Sequence, residues 1–423
     1  MSLIVLTRSL TASGVTGLDL GSANDGFVGV GVTLDITGAA GIAGLGDSGH
    51  DVWVNGTVTT TAGGIVLGQA DTAGGNHHIE IGATGIVSSS AVAIGLYGGG
   101  SSILNDGNIY SIGYGILLEN RSGATVTVDN TGIIAASQAI SRVFGDENGR
   151  VDFTNTGRIY ADYSYTSSAN GTAVDQVINR GLMVGLVDLG GGNDVFDTVG
   201  GRVIGDIYGG AGNDLFRPGA QVESITGDAG NDTLDFSPHA SITVALDGAF
   251  ANLGAARNDS YAGIEIVIGT AGSDRIGGDA NGNLLRGNGG VDVLSGQGGN
   301  DTLQGGAGAD RLNGGAGNDF FQIMALAERA DVIQDFTNVA GNNDTLRLEG
   351  SGFGFGAATG ALAASQFRAR ADNVAQDADD RFIFRTTDTT LWFDANGNAA
   401  GGLSLLADLQ AGATLTAADF LLV

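Results

Sequence analysis

Residues 269–322 read, nine at a time, GTAGSDRIG, GDANGNLLR, GNGGVDVLS, GQGGNDTLQ, GGAGADRLN and GGAGNDFFQ, six units in unbroken register. Position six is Asp274, Asp292, Asp301, Asp310 or Asp319 in five copies and Asn283 in the other, and position eight is always apolar. The leading glycines predict a tight turn with positive φ, and the last three residues predict a short strand that buries one side chain. Two units make a coil of 18 residues, so alternate loops stack at the inter-strand spacing of about 4.8 Å. Asp274 then lies over Asp292 and Asp310, and Asp301 over Asp319. Carboxylates stacked that closely repel strongly unless a cation lies between them. A turn that offers only carboxylate and carbonyl oxygens suits calcium better than magnesium.

Three earlier copies lead into this block: 189–197 (LGGGNDVFD), 209–217 (GGAGNDLFR) and 227–235 (GDAGNDTLD), with Asp194, Asp214 and Asp232 at position six. Asp214 and Asp232 are one coil of 18 residues apart, whereas Asp194 precedes Asp214 by 20, so its loop is expected out of register. Residues 236–268, with 242–246 (ITVAL) and 264–268 (IEIVI), read as a strand insertion within the same coil.

The block resembles the calcium-binding parallel β-roll of the RTX (repeats-in-toxin) family, whose consensus is G-G-x-G-x-D-x-(large apolar)-x. The resemblance implies Ca2+ as cofactor, held by position-six carboxylates and turn carbonyls shared between stacked loops. Carried onto this chain, the ligands are Asp194, Asp214, Asp232, Asp274, Asp292, Asp301, Asp310 and Asp319, with the turns at Gly209, Gly227, Gly269, Gly287, Gly296, Gly305 and Gly314. Asn283 departs from the pattern, so the loops at 278–283 and 296–301 should make a weaker site or none. Stacking predicts about three to five ions, with the pairs Asp292/Asp310 and Asp301/Asp319 the most secure.

Composition sets the outer bounds. A length of 423 residues fits two or three domains. Net charge is −28 with no lysine, and 31 of the 46 acidic residues follow residue 180, which argues against nucleic acid or an anionic membrane as partner and for cations. Without cysteine there is neither disulfide nor thiolate site, so calcium must do the stapling. No apolar run reaches the length of a membrane span. The first residues, MSLIVLTRSLTASG, carry no basic leader, so an N-terminal signal peptide is not expected.

Before the nonapeptides a looser repeat is marked by Asn-x-Gly at Asn105, Asn130, Asn155 and Asn179, at intervals of 25, 25 and 24. Each marker follows an alternating run such as 125–128 (TVTV), giving about three short strands per repeat. That period and composition predict a right-handed parallel β-helix of six to seven coils, with the asparagines stacked in a ladder. The pattern resembles β-helical passenger regions of secreted adhesins and autotransporters, and more distantly polysaccharide lyases and epimerases. A lyase would need a lysine or arginine base beside a carboxylate-bound calcium; the candidates weighed are Arg121, Arg142 and Arg158, of which Arg158 or Arg121 could serve. His50, His77 and His78 read as surface or turn residues, and no catalytic residue is assigned. None of the four histidines forms His-Glu-x-x-His, which excludes a zinc protease of that type.

After residue 322, 331–336 (DVIQDF) and 344–348 (DTLRL) resemble the cap that closes the roll in serralysin-type proteins. The turn at 394–398 (DANGN) lacks the glutamate of a calcium loop. The last residues, 417–423 (AADFLLV), resemble the C-terminal signal of type I secretion substrates. The expected organisation is all-β: a β-helix over 1–187, a β-roll over 188–322 with its insertion at about 236–268, and a cap with secretion signal over 323–423. The expected function is that of a secreted calcium-binding protein of a Gram-negative bacterium whose roll folds on extracellular calcium and carries an adhesive or structural β-helix. A lyase or epimerase acting on acidic polysaccharide is the alternative. Expected partners are calcium, the type I secretion apparatus and a cell-surface or matrix polysaccharide.

Overall fold

Short alternating runs broken by glycine and asparagine cannot bury a core singly, and the chain solves this by coiling them into stacks of parallel strands. The computed structural model describes residues 2–21, 24–44, 49–68, 75–120, 123–142, 149–169, 171–328, 330–339, 341–356, 359–399 and 401–423. These form two compact units, residues 1–232 with 261–263 and residues 233–260 with 264–423.

The first unit is a parallel β-helix with three strands to a coil. Ser102–Asn105, Asn108–Ser111 and Tyr114–Glu119 make one coil, and each pairs in parallel with its counterpart 24 or 25 residues later, Val126–Asn130, Ile133–Ala135 and Gln138–Arg142. Inside, apolar side chains stack in columns. Val52, Ile79, Ile103, Val128, Phe153 and Val177 are register partners on one face, and Val58, Val87, Ile109, Ile134, Ile159 and Met183 on the next. All are buried, each contributing about 1.5–3 kcal/mol that no coil could gain alone. Before the nonapeptides, among the described residues, first-face strands begin at Ser2, Asn24, Asp51, His78, Ser102, Val126, Val151 and Gln176, which makes eight coils rather than six to seven. The four Asn-x-Gly markers miss the coils begun at Ser2, Asn24, Asp51 and His78, whose corners at 7–9 (TRS), 29–31 (GVG), 55–56 (NG) and 82–85 (GATG) do not contain that motif.

The asparagine ladder forms as expected. Asn105 Nδ2 donates to Asn130 Oδ1 (2.6 Å), Asn130 to Asn155 (2.7 Å) and Asn155 to Asn179 (2.7 Å), all four buried. The histidines differ from expectation. His50 and His77 are buried, their rings stacked 5.4 Å apart, and the His50 N–H donates to His77 Nδ1 (3.1 Å). Burial, with His50 nearby, lowers the His77 pKa to about 4.

In the second unit the coil has two faces. Leu284–Gly289, Thr302–Ala307 and Phe320–Ile323 stack on one, and Arg275–Gly277, Val293–Ser295 and Arg311–Asn313 on the other, with partners such as Leu285/Leu303 and Leu294/Leu312 18 residues apart. The position-eight residues Ile276, Leu285, Leu294, Leu303, Leu312 and Phe321 form its core. Two strands of the insertion join this stack, Ile242–Ala245 on Arg275–Gly277 and Ile266–Ile268 on Leu284–Gly289. Asp331–Ile333 and Thr345–Leu348 each extend one face, and are covered in turn by Leu403–Leu409 and Phe420–Leu422. Antiparallel pairing of Thr390–Asp394 with Leu403–Leu409 and with Phe382–Arg385 continues beyond them. Phe353, Phe382, Phe393 and Phe420 meet beneath these strands, with centroids 5.2 Å apart for Phe382/Phe393 and Phe382/Phe420. The final apolar residues are therefore a buried strand, and 394–398 is a turn in which the Asn396 N–H donates to Asp394 Oδ1 (3.0 Å).

Candidate metal centre

In each glycine-rich loop the position-six carboxylate folds back over the first glycine of its own unit. A β-carbon at Gly287, Gly296, Gly305 or Gly314 would lie 2.1–2.3 Å from Oδ2 of Asp292, Asp301, Asp310 or Asp319. Gly209, Gly227 and Gly269 stand in the same relation to Asp214, Asp232 and Asp274, at 2.3, 2.4 and 2.6 Å. The carbonyl of the next coil's first glycine reaches the same point: Gly305 O at 2.5 Å for Gly287, and Gly314 O at 2.5 Å for Gly296. A carboxylate oxygen and a carbonyl oxygen from successive coils thus converge on a space that any side chain would fill. This corrects the expected role of the first glycine. Positive φ falls instead on the second and fourth positions, as at Asn288 (73°) with Gly290 (113°) and Gln297 (78°) with Gly299 (97°). The first position is glycine for room.

The carboxylates stack through their other oxygen. In the second unit Asp274 N–H donates to Asp292 Oδ1 (2.7 Å), Asp292 N–H to Asp310 (2.8 Å) and Asp310 N–H to Asp331 (3.0 Å). The companion ladder runs from Asn283 to Asp301 (2.7 Å), Asp319 (2.8 Å) and Asp344 (3.1 Å). In the first unit Asp175, Asp194, Asp214 and Asp232 are joined by bonds of 2.6, 2.8 and 2.7 Å. Asp194 is accordingly in register, contrary to expectation. Val195 pairs directly with Leu215, and the two extra residues are taken up elsewhere in the coil.

Oδ2 separates the loops into two kinds. In Asp194, Asp214, Asp292, Asp301, Asp310 and Asp319 it is buried and accepts no hydrogen bond. At Asp274 the protein itself satisfies it, through the Thr270 N–H (2.6 Å), while Oδ1 takes the Thr270 hydroxyl and the Ile242 N–H. Asn283 is likewise engaged, Oδ1 with the Asp279 N–H and Nδ2 with the Ile264 carbonyl. Asp344 closes its ladder on the Thr337 N–H (2.7 Å).

Burial, reinforced by neighbouring carboxylates, pushes the carboxyl of Asp194 up to about 8, Asp292, Asp301 and Asp331 to about 7, and Asp214 and Asp344 to about 6. Two like charges at the coil spacing repel by roughly 3–4 kcal/mol at an effective dielectric of about 20. A hard divalent cation relieves both costs, and orphaned oxygens, a cradle and an all-oxygen donor set fit one. Among the described residues no three acidic or histidine side chains meet at one point. A site built here would draw on backbone carbonyls as well as stacked carboxylates.

Sequence reasoning missed Asp175, Asp331 and Asp344 as ladder members. Their signal was the aspartate two residues before a buried apolar one, as in Asp301-Thr302-Leu303. It also missed an outer ladder at position five, where Asn213 N–H donates to Asn193 Oδ1 (2.8 Å) and Asn318 N–H to Asn300 Oδ1 (2.8 Å). Of the arginines weighed for catalysis, Arg121 lies outside the described residues. Arg142 is buried in an ion pair with Asp175. Arg158 lines a shallow groove of about 390 Å³ with Thr131, Thr156 and Leu182, and among the described residues no carboxylate lines it beside the arginine.

Fold and loops together define a parallel β-coil protein whose turns bind divalent cations. A family model of the RTX calcium-binding nonapeptide repeat matches it in four copies, at residues 206–222, 224–236, 259–294 and 286–321. The chain therefore carries RTX calcium-binding repeats, and the ion is calcium. No curated protein matches the chain.

Proposed function

We propose that this is a secreted protein whose roll folds on extracellular calcium and displays the β-helix as an adhesive or structural element. The single observation that carries the reading is the set of buried, partnerless Oδ2 atoms, with Asp292, Asp310, Asp301 and Asp319 as the principal ligands. Calcium bound there supplies the positive charge that lets these carboxylates stay ionised in the folded state. Asp194 and Asp214 extend the set, Asp232 continues their ladder through its bond from the Asp214 N–H, and Asp274 contributes least, because Thr270 already satisfies it. Without the ion the loops must hold protons or separate, so an acidic glycine-rich segment stays disordered where calcium is scarce. At the millimolar calcium outside a cell, sites of the affinity usual for extracellular modules, about 10⁻⁴ to 10⁻³ M, would fill.

The division of labour is a rigid β-helix over 1–187, a calcium-gated roll over 188–322, and a cap over 323–423 that carries the type I export signal. RTX repeat proteins are typically extracellular, and among the described residues no helix is long and apolar enough to cross a membrane. A Gram-negative host with a type I exporter tests export. We expect the chain in the medium, folded at millimolar calcium and protease-sensitive in chelator. Retention inside the cell with the exporter active would contradict it. Binding of the exported protein to polysaccharide-coated surfaces tests the adhesive role.

A further inference from the structure

The ladder of the first unit begins one coil before the nonapeptides. Asp175 precedes the strand Gln176–Asn179 as Asp194 precedes Val195–Asp197, and the two strands are in register. Its loop is not glycine-rich, with Ala173 at the fourth position. Its fourth-position carbonyl nevertheless takes the same place. Ala173 O lies 1.9 Å from where a β-carbon of Gly192 would be, as Gly192 O lies 1.7 Å from that of Gly212.

What differs is the group facing Oδ2. Arg142 Nη1 lies 2.6 Å from Asp175 Oδ2, and both side chains are 1% exposed. The Tyr165 hydroxyl donates to the same oxygen (2.8 Å), while Arg142 Nη1 also donates to Ser167 Oγ (3.2 Å) and Nη2 to the Gly149 carbonyl (2.6 Å). The Val151 N–H occupies Asp175 Oδ1 (2.9 Å). One and two coils further on, the corresponding Oδ2 atoms of Asp194 and Asp214 accept nothing from the protein.

We propose that Asp175 is a site of the calcium column whose cation is built into the chain, the Arg142 guanidinium standing where calcium stands at the repeats. The inference rests on the reading of the repeats as calcium sites. A tethered, always-charged group neutralises its buried carboxylate at any calcium concentration. The column therefore has a calcium-independent first step, and Asp175 presents its N–H to Asp194 before any ion binds. Arg142 is a positioning residue for the sites below it. Removing it leaves a buried carboxylate without its countercharge, which is strongly unfavourable unless another cation arrives.

The test compares the full-length chain with Arg142→Met and with Arg142→Met/Asp175→Asn, each in chelator and in saturating calcium. Bound calcium per chain is counted by equilibrium dialysis, and amide exchange is followed over residues 151–166 and 176–179. We expect the original chain to protect these amides in both conditions. Arg142→Met should lose protection in chelator, regain it with calcium and bind one ion more. The double variant, having no charge to neutralise, should be protected in chelator and bind no extra ion. Arg142→Met with an unchanged ion count, or with exchange indifferent to calcium and no rescue by Asp175→Asn, would overturn the proposal. If the original chain itself binds no calcium, the reading of the repeats fails instead, and the two failures are told apart in one titration.

Discussion

At the scale of single residues, neighbouring positions of one loop have different duties. A methyl group on Gly287 would meet Asp292 Oδ2 at 2.2 Å and Gly305 O at 2.5 Å, whereas on Gly289 its nearest neighbour is 3.6 Å away. We expect Gly287→Ala to weaken calcium binding about tenfold or more and to cost about 1–3 kcal/mol, and Gly289→Ala to do neither. Calorimetric titration of both variants decides it, and equal effects would refute the cradle. The aspartates divide the same way. Asp292→Asn should remove calcium binding at its loop, because its Oδ2 has no other partner. Asp274→Asn should leave the ion count unchanged and show only a small loss of stability, because Thr270 already serves that carboxylate.

At the scale of elements, what was legible was what repeats strictly. Nine-residue periodicity gave the roll and its stacked pairs, because two units close one coil and any slip would remove Leu285 or Leu294 from the core. Asp175, Asp331 and Asp344 were harder to see, lying 19, 21 and 25 residues from their ladder neighbours Asp194, Asp310 and Asp319. A coil tolerates such insertions at its corners without losing register, so spacing alone does not reveal them. Burial of His50 and His77 was illegible for a related reason: a corner residue points in or out according to a local path that periodicity does not fix. The asparagine ladder could be anticipated because Asn-x-Gly recurs at a fixed corner. Asn130→Ala removes its bonds to both Asn105 and Asn155, so we expect a loss of about 2–4 kcal/mol. Thermal melts with and without calcium should show the same loss, since this ladder is not a metal site. A loss that calcium repairs would contradict the assignment.

At the scale of the whole molecule, burial couples folding to protons as well as to calcium. An aspartate in an unfolded chain titrates near about 3.9, whereas Asp292 and Asp301 titrate at about 7 in the metal-free fold and Asp194 at about 8. The folded state holds these protons more tightly than the unfolded one. Their contribution is therefore most favourable below about pH 4 and is lost as pH rises through 7 to 8. In chelator the roll should melt at a higher temperature at pH 5 than at pH 8. Calcium requires the protons to leave, so its affinity and the stabilisation it brings should both be larger at pH 8. A calcium effect that is flat between those pH values would mean that these carboxylates are not its ligands.

The measurement that bears most directly on the central claim is amide hydrogen exchange of the full-length chain during a calcium titration at neutral pH. The stacked-carboxylate account predicts that amides of 284–323 go from fast to strongly protected as calcium reaches the millimolar range, while those of 102–119 are protected throughout. If amides of 284–323 are equally protected in chelator and in calcium, the aspartate ladders do not gate the fold, and the account is wrong.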